Sequence, residues 1–138
     1  MKLGLGTAAL GRPQYINVRQ HTPKNSDLKT FREQSFAVLE NAYNLGVRYF
    51  DTAPGYGLAE ELILEWLQTK KDKTIEAATK WGYTYTANFD ANATIHEVKE
   101  HSLSKLKAQW NFSKKLLPYL KVYQIHSATL ETGVLENT

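Results

Sequence analysis

The chain has 138 residues, 42% of them apolar and 22% charged, and carries no cysteine. That is the size of one domain, spanning 1–138, with enough apolar content for a packed core. Disordered, fibrous and disulfide-stapled classes are excluded, and so is thiol chemistry. The formal net charge is +3, from 17 Lys and Arg against 14 Asp and Glu, too small an imbalance to attract nucleic acid. Met1-Lys2-Leu3-Gly4-Leu5-Gly6 lacks the apolar run of a signal peptide or a membrane span. A cytoplasmic protein with neither membrane nor nucleic acid as partner is expected.

In chain order, Met1–Gly6 predicts a short strand, and Thr7–Ser26 a polar loop broken by Gly11, Pro13 and Pro23. From Leu28 to Leu45, Phe31, Ser35, Phe36, Leu39, Ala42 and Tyr43 recur at three-to-four spacing. Ser26 or Asp27 can cap this helix, and Gly46 can end it. Val47–Phe50 is a strand, Leu58–Gln68 a helix and Ile75–Thr79 a strand. A helix is expected from Thr94 to Gln109, then a short one before Pro118, a strand at Val122–Ile125 and the opening turn of a helix at Thr132–Asn137. The late basic residues Lys99, Lys105, Lys107, Lys114, Lys115 and Lys121, with Glu97 and Glu100 among them, read as a solvated helix face rather than an anion-binding patch.

Strands alternating with helices imply crossover units and a parallel sheet. Strand starts near Leu3, Val47, Ile75 and Val122 give four such strands. Four strands make a small open sheet or the first half of an eight-stranded barrel, which typically needs about 250 residues.

Three strands run directly into a functional side chain: Val47–Phe50 into Asp51, Ile75–Thr79 into Lys80, and Val122–Ile125 into His126. Parallel strands place their C-terminal ends at one edge, where sites of barrels and open α/β sheets lie. The loop Asp51-Thr52-Ala53-Pro54-Gly55-Tyr56-Gly57 has the residues of a shaped turn and can fold Tyr56 back over that edge. Singly, each residue has a plain reading: a turn aspartate, a surface lysine, a core histidine. Together they form a unit. A phenol with an ordinary pKa of about 10 is a poor acid at neutral pH, and an ammonium about 4 Å away favours its ionised form by roughly 4 kcal/mol. An aspartate would keep the lysine charged, and a histidine could hydrogen-bond a substrate oxygen. The set suits protonation of an oxygen as a carbonyl is reduced.

These residues lie in blocks that resemble the aldo/keto reductase superfamily along the whole chain: Leu3-Gly4-Leu5-Gly6-Thr7-Ala8, Gly46-Val47-Arg48-Tyr49-Phe50-Asp51-Thr52-Ala53 with Gly55-Tyr56-Gly57, Thr79-Lys80-Trp81-Gly82, and Gln124-Ile125-His126-Ser127. The resemblance implies a (β/α)8 barrel that moves a hydride between NADPH, or NADH, and an aldehyde or ketone. By resemblance Tyr56 is the general acid, Lys80 tunes it, Asp51 pairs with Lys80, and His126 orients the carbonyl. Gly6 and Thr7, through their backbone, and Asp51 would lie beside the nicotinamide. Trp81 would line the substrate pocket or cap the rim. Family members are about twice this length, a full barrel needing about 250 residues. The expectation is therefore the N-terminal half of a barrel, with three to four helices and without the later-strand groups that hold most of the cofactor.

Gly4-Leu5-Gly6-Thr7-Ala8-Ala9 also fits the G-x-G-x-x-A dinucleotide fingerprint, but Gly11 and Pro13 interrupt the helix that motif should open. A lysine Schiff base at Lys80 would leave the Tyr56 loop without a purpose. A non-catalytic half-barrel serving assembly is the alternative reading. His21, His96 and His101 lack ligand spacing, so no metal site is expected. Side-chain alternation puts Val47, Tyr49, Glu76, Ala78, Val122 and Gln124 on the same inner side as the site residues. An uncovered inner face and two open edges would favour self-association.

Overall fold

Four strands run parallel in the order β1-β2-β3-β6: β1 (Gly4–Gly6), β2 (Tyr49–Asp51), β3 (Glu76–Trp81) and β6 (Leu120–Ile125). This is a computed structural model, and it describes residues 2–12, 27–90 and 92–136. The helices are α1 (Ala8–Gly11), α2 (Leu28–Asn44), α3 (Ala59–Gln68) and α4 (Leu103–Ser113). Strands β4 (Tyr83–Tyr85) and β5 (Glu97–Lys99) form a separate antiparallel hairpin after β3.

The register sets up the site. Gly6 pairs with Asp51 and Asp51 with Ala78, while Lys80 pairs with Gln124. A register shift at Ala77/Ala78 gives β6 one extra residue, Lys121. One face of the sheet is packed by helices. Phe50 and Ile75 meet Leu39, Ile63, Trp66, Leu67 and Leu116, all essentially buried. The Trp66 ring lies 4.9 Å from Phe50 and 5.7 Å from Tyr43. Each such buried side chain contributes about 1.5–3 kcal/mol. The other face carries Asp51, Lys80 and Gln124, and on it Val122 remains 42% exposed.

Helix α2 follows its expected course. Asp27 caps it by accepting from the Thr30 N–H at 2.7 Å, and Gly46, at φ +92°, takes the left-handed conformation after it. Three expectations change. Residues 7–26 do not begin as a loop: Ala8–Gly11 is helical, and Gly11 ends it rather than preventing it. Residues 13–26, with Pro13, Pro23, Ser26 and His21, lie outside the described residues. The helix expected over Thr94–Gln109 splits into β5 and α4. Glu97, Val98 and Lys99 pair with Tyr85, Thr84 and Tyr83, and Ser102 caps α4 by accepting from the Lys105 N–H at 3.1 Å. Tertiary pairing outweighs a charge spacing that looked helical. At the C-terminal end, the turn that forms is a 3-10 turn at Leu130–Thr132, two residues earlier than expected.

Candidate functional site

Adjacent parallel strands bring Asp51 and Lys80 together at the C-terminal edge. The Lys80 ammonium donates to Asp51 Oδ2 and, at 3.1 Å, to the Thr52 carbonyl. Gln124, opposite Lys80 on β6, donates to Asp51 Oδ1 at 3.3 Å, so both carboxylate oxygens are engaged. The pair is only partly exposed, 13% for the Lys80 side chain and 28% for Asp51. This low accessibility strengthens the attraction relative to a surface pair.

Tyr56 arrives on a 3-10 turn, Pro54–Tyr56, closed by the Tyr56 N–H on the Ala53 carbonyl at 3.0 Å. Two glycines let this turn press against α1. Gly57 sits at φ +68°. At Gly11, an added Cβ would come 1.7 Å from the Tyr56 carbonyl oxygen and 2.5 Å from the Ala59 nitrogen. The Leu58 N–H donates to the Gly11 carbonyl at 2.8 Å. The tyrosine ring then lies with Lys80 Nζ over its face, 5.0 Å from the centroid.

His126 closes the other side. Its N–H donates to the Trp81 carbonyl at 2.9 Å, and its ring meets Tyr56 edge-on with centroids 5.4 Å apart. Burial, reinforced by the nearby Lys80 charge, pushes its pKa down to about 4. The imidazole is therefore neutral at physiological pH and able to accept or donate one hydrogen bond. Its Nδ1 is buried with no hydrogen-bond partner among the described residues.

The remaining site candidates divide. Gly6 is open: nothing lies within 4 Å of the position a Cβ would take. Thr7 is 1% exposed, and both its N–H and its hydroxyl donate to the Asp51 carbonyl at 2.9 Å. Its side chain thus positions β2 rather than facing a ligand. Trp81 is 8% exposed, alternates with Lys80 along β3, and packs edge-on against His101 at 5.4 Å.

Two participants emerge from the fold. Gln124 shares its strand face with His126, a placement that alternation along β6 already implies. Tyr83 has no motif of its own in the sequence. It sits on the β4–β5 hairpin, 4.6 Å from the His126 ring, and its Cβ would lie 2.9 Å from a Cβ placed on Gly55. Only recognition of the hairpin could have found it. The hairpin is tied to α1 by the ion pair between Arg12 and Glu97 at 3.3 Å. Among the described residues, no three His, Asp or Glu side chains gather as a metal site, and no helix is long and apolar enough to cross a membrane.

Comparisons with known proteins bear on the family and the fold. The family model for the aldo/keto reductase family matches residues 2–136. D-threo-aldose 1-dehydrogenase from Pseudomonas sp. is 32% identical over 87 residues, 60% of this chain and 26% of that protein. An uncharacterized oxidoreductase of Bacillus subtilis is 29% identical over 117 residues, 79% of this chain and 35% of the relative. Among solved structures, the holo form of an aldo-keto reductase from Bacillus halodurans superposes with a TM-score of 0.66 at 22% identity, covering 98% of this chain and 39% of that one. The chain thus spans about a quarter to a third of the length of these curated relatives. Its four parallel strands correspond to part of a TIM-type barrel, and the chain belongs to the aldo/keto reductase family.

Proposed function

We propose that the protein carrying this sequence transfers a hydride between NADP(H) and a small carbonyl or alcohol substrate, with Tyr56 as the general acid. The observation that carries this reading is the convergence of Tyr56, Lys80, Asp51 and His126 at one sheet edge, from three strands and a loop. The names of the relatives, an aldose dehydrogenase and an oxidoreductase, support the same class of reaction.

The residues present suit the nicotinamide end of the cofactor. No heavy atom lies within 4 Å of a Cβ built on Gly6, which pairs with Asp51 in the sheet, and this opening supports placing the flat ring there. Gly6, the Thr7 backbone and Asp51 would lie beside it there, the Thr7 N–H and carbonyl already being used within the fold. That end is common to NADPH and NADH, so these contacts do not choose between them. When bound, the reduced cofactor supplies the hydride that the carbonyl carbon receives.

The chain's own residues manage the oxygen. The neutral His126 imidazole hydrogen-bonds it and fixes the carbonyl's direction. As negative charge develops on that oxygen, the Tyr56 hydroxyl delivers its proton and becomes a phenolate. The Lys80 cation over the ring stabilises the phenolate, and Asp51, braced by Gln124, keeps Lys80 in place. The product is the alcohol. Tyr56 recovers its proton from solvent before the next turnover.

The test is NADPH-dependent reduction of a series of small aldehydes, with NADPH binding followed in parallel by fluorescence. Tyr56→Phe should retain NADPH binding while the rate falls by about 10²–10⁴. Unchanged turnover in that variant, or no NADPH binding at all, overturns the reading.

A further inference from the structure

His101 lies in the linker between β5 and α4, outside the four residues discussed above. Its Nε2 is 2.9 Å from the carbonyl oxygen of His126. A carbonyl only accepts, so Nε2 is the donor. Its Nδ1 is 2.9 Å from Thr132 Oγ1, which ties the other side of the ring to the 3-10 turn after β6. The ring packs edge-on against Trp81 at 5.4 Å and Tyr83 at 6.5 Å.

The surrounding backbone is shaped around this ring. Gly82 has φ +110°, and a Cβ on it would lie 2.2 Å from His101 Cδ2, so only glycine leaves room. The Glu100 N–H donates to the Gly82 carbonyl at 2.8 Å, fixing the linker one residue before His101. Lys99, one residue further back, donates to Thr129 Oγ1 at 2.9 Å. The captured carbonyl belongs to a sharp turn. Ser127, which follows His126, sits at φ +50°, in the left-handed region that non-glycine residues rarely adopt. The His126 N–H is already held by Trp81. With its carbonyl held by His101, both backbone hydrogen-bonding groups of His126 are fixed at the point where β6 leaves the sheet.

We infer that His101 is a positioning residue for His126: its Nε2–H···O=C bond holds the strained 126–127 turn and thereby sets where the His126 imidazole stands above Tyr56 and Lys80. The functional weight of this inference rests on the reading of His126 as the carbonyl-orienting group. The contact itself does not.

The experiment uses the full chain with ¹⁵N-labelled histidine. NMR reads the His126 ring shifts, its ring-current contacts with Tyr56 and Tyr83, and its titration. The charged and polar groups facing that ring are Lys80, Asp51, Arg12, Tyr56 and Tyr83, together with His101 itself. His101→Leu keeps the bulk and removes the donor. It should release His126, weaken the contacts to both tyrosines, and move its titration from about 4 toward the ordinary 6.5, at least about a tenfold change in proton affinity. His101→Gln carries an amide N–H of similar reach without a charge, and should restore the native shifts and titration. Recovery by glutamine separates the hydrogen bond from any effect of a charge at position 101.

Native His126 signals and titration in a folded His101→Leu overturn the inference, as does a folded His101→Gln in which His126 is displaced as far as in the leucine variant. Should His101→Leu fail to unfold cooperatively, His101→Gln decides alone: a native His126 signature supports the role, and a displaced one rejects it. The readout involves no turnover. An inactive chain in which His101→Leu frees His126 therefore supports the positioning role while overturning the reductase reading.

Discussion

The Lys80 ammonium is held between the Asp51 carboxylate on the neighbouring strand and the Thr52 carbonyl, with Tyr56 beneath it. Both members are mostly shielded, so removing one leaves the other short of a partner in a poorly solvated place. Lys80→Met should lower stability by about 1–3 kcal/mol in urea unfolding, with the loss partly recovered in Lys80→Met/Asp51→Asn. In the proposed reaction the same variant should lose most of its rate, and Lys80→Arg should not restore it. A planar guanidinium cannot reproduce a compact charge over the ring while keeping the Asp51 contact. Wild-type stability and turnover in Lys80→Met would separate this ion pair from both roles.

Gly11 makes the Tyr56 loop dependent on α1. Its Cα faces the Tyr56 carbonyl and the first residue of α3 so closely that a methyl group has nowhere to go. Gly11→Ala should cost about 1–3 kcal/mol through forced backbone displacement. The displacement should fall on the loop first, so Tyr56 resonances should move more than those of the Leu39–Trp66 core. Gly46→Ala is the control. It has open space around it, and its cost should come only from the positive φ.

The rim residues were readable in the sequence because each follows a β-rich run with no intervening loop, so parallel topology alone carries Asp51, Lys80 and His126 to one edge. Gln124 was equally accessible through alternation with His126. The hairpin was not. Glu97, Val98 and Lys99 have neither the length nor the composition of a confident strand, and their partners Tyr83–Tyr85 lie more than ten residues earlier. Such pairing is settled by tertiary contact rather than local propensity. Tyr83 and the Arg12–Glu97 tie were hidden with it. The four-residue α1 has a related cause, since a helix that short depends on tertiary support, here from the Leu58 N–H on the Gly11 carbonyl and the Ser35 hydroxyl on the Leu10 carbonyl. His101 lacks metal-ligand spacing, and its partner is a backbone carbonyl, which no side-chain spacing reveals.

Acid should withdraw the contributions of His126 and Asp72 in different pH ranges. The His126 pKa is lowered in the fold to about 4 from an ordinary 6.5. Its contribution is present above pH 6.5 and is lost as pH falls toward 4, because the unfolded chain takes up the proton first. Asp72 is lowered to about 2 from 3.8, chiefly by hydrogen bonds from the Thr74 hydroxyl and N–H and from Tyr43, with Arg48 alongside. Its contribution is intact above pH 3.8 and is lost as pH falls toward 2. His126→Gln should flatten the stability profile between pH 6.5 and 4 and leave the lower stage in place. Asp72→Asn should do the reverse. Equal flattening of both stages by either variant would contradict these assignments.

Glu60 should contribute a slope of the opposite sign. It lies in the first turn of α3, behind the sheet. Its Oε1 accepts from the Thr79 hydroxyl at 2.6 Å and the Ser113 hydroxyl at 2.7 Å, and all three residues are buried. Burial raises its pKa above the ordinary 4.5, against the pull of the two hydroxyls. A carboxyl that binds its proton more tightly folded than unfolded stabilises fully below its unfolded pKa and loses that contribution as pH rises through the folded value. Its own contribution should therefore fall from about pH 4.5 upward, against the gain from His126, until Glu60 is ionised in the folded chain. Glu60→Gln is neutral, and its amide oxygen can still accept from Thr79 and Ser113, so it should remove this slope and exceed the wild type in stability at pH 8. Glu60→Ala should instead lose roughly 2–4 kcal/mol at every pH, since two buried hydroxyls are left without an acceptor. Thr79 directly precedes Lys80 on β3, so the alanine variant should also disturb the Lys80–Asp51 pair, visible as a changed Lys80 Nζ signal, while the glutamine variant should not. Survival of this slope in Glu60→Gln would assign the loss to another group.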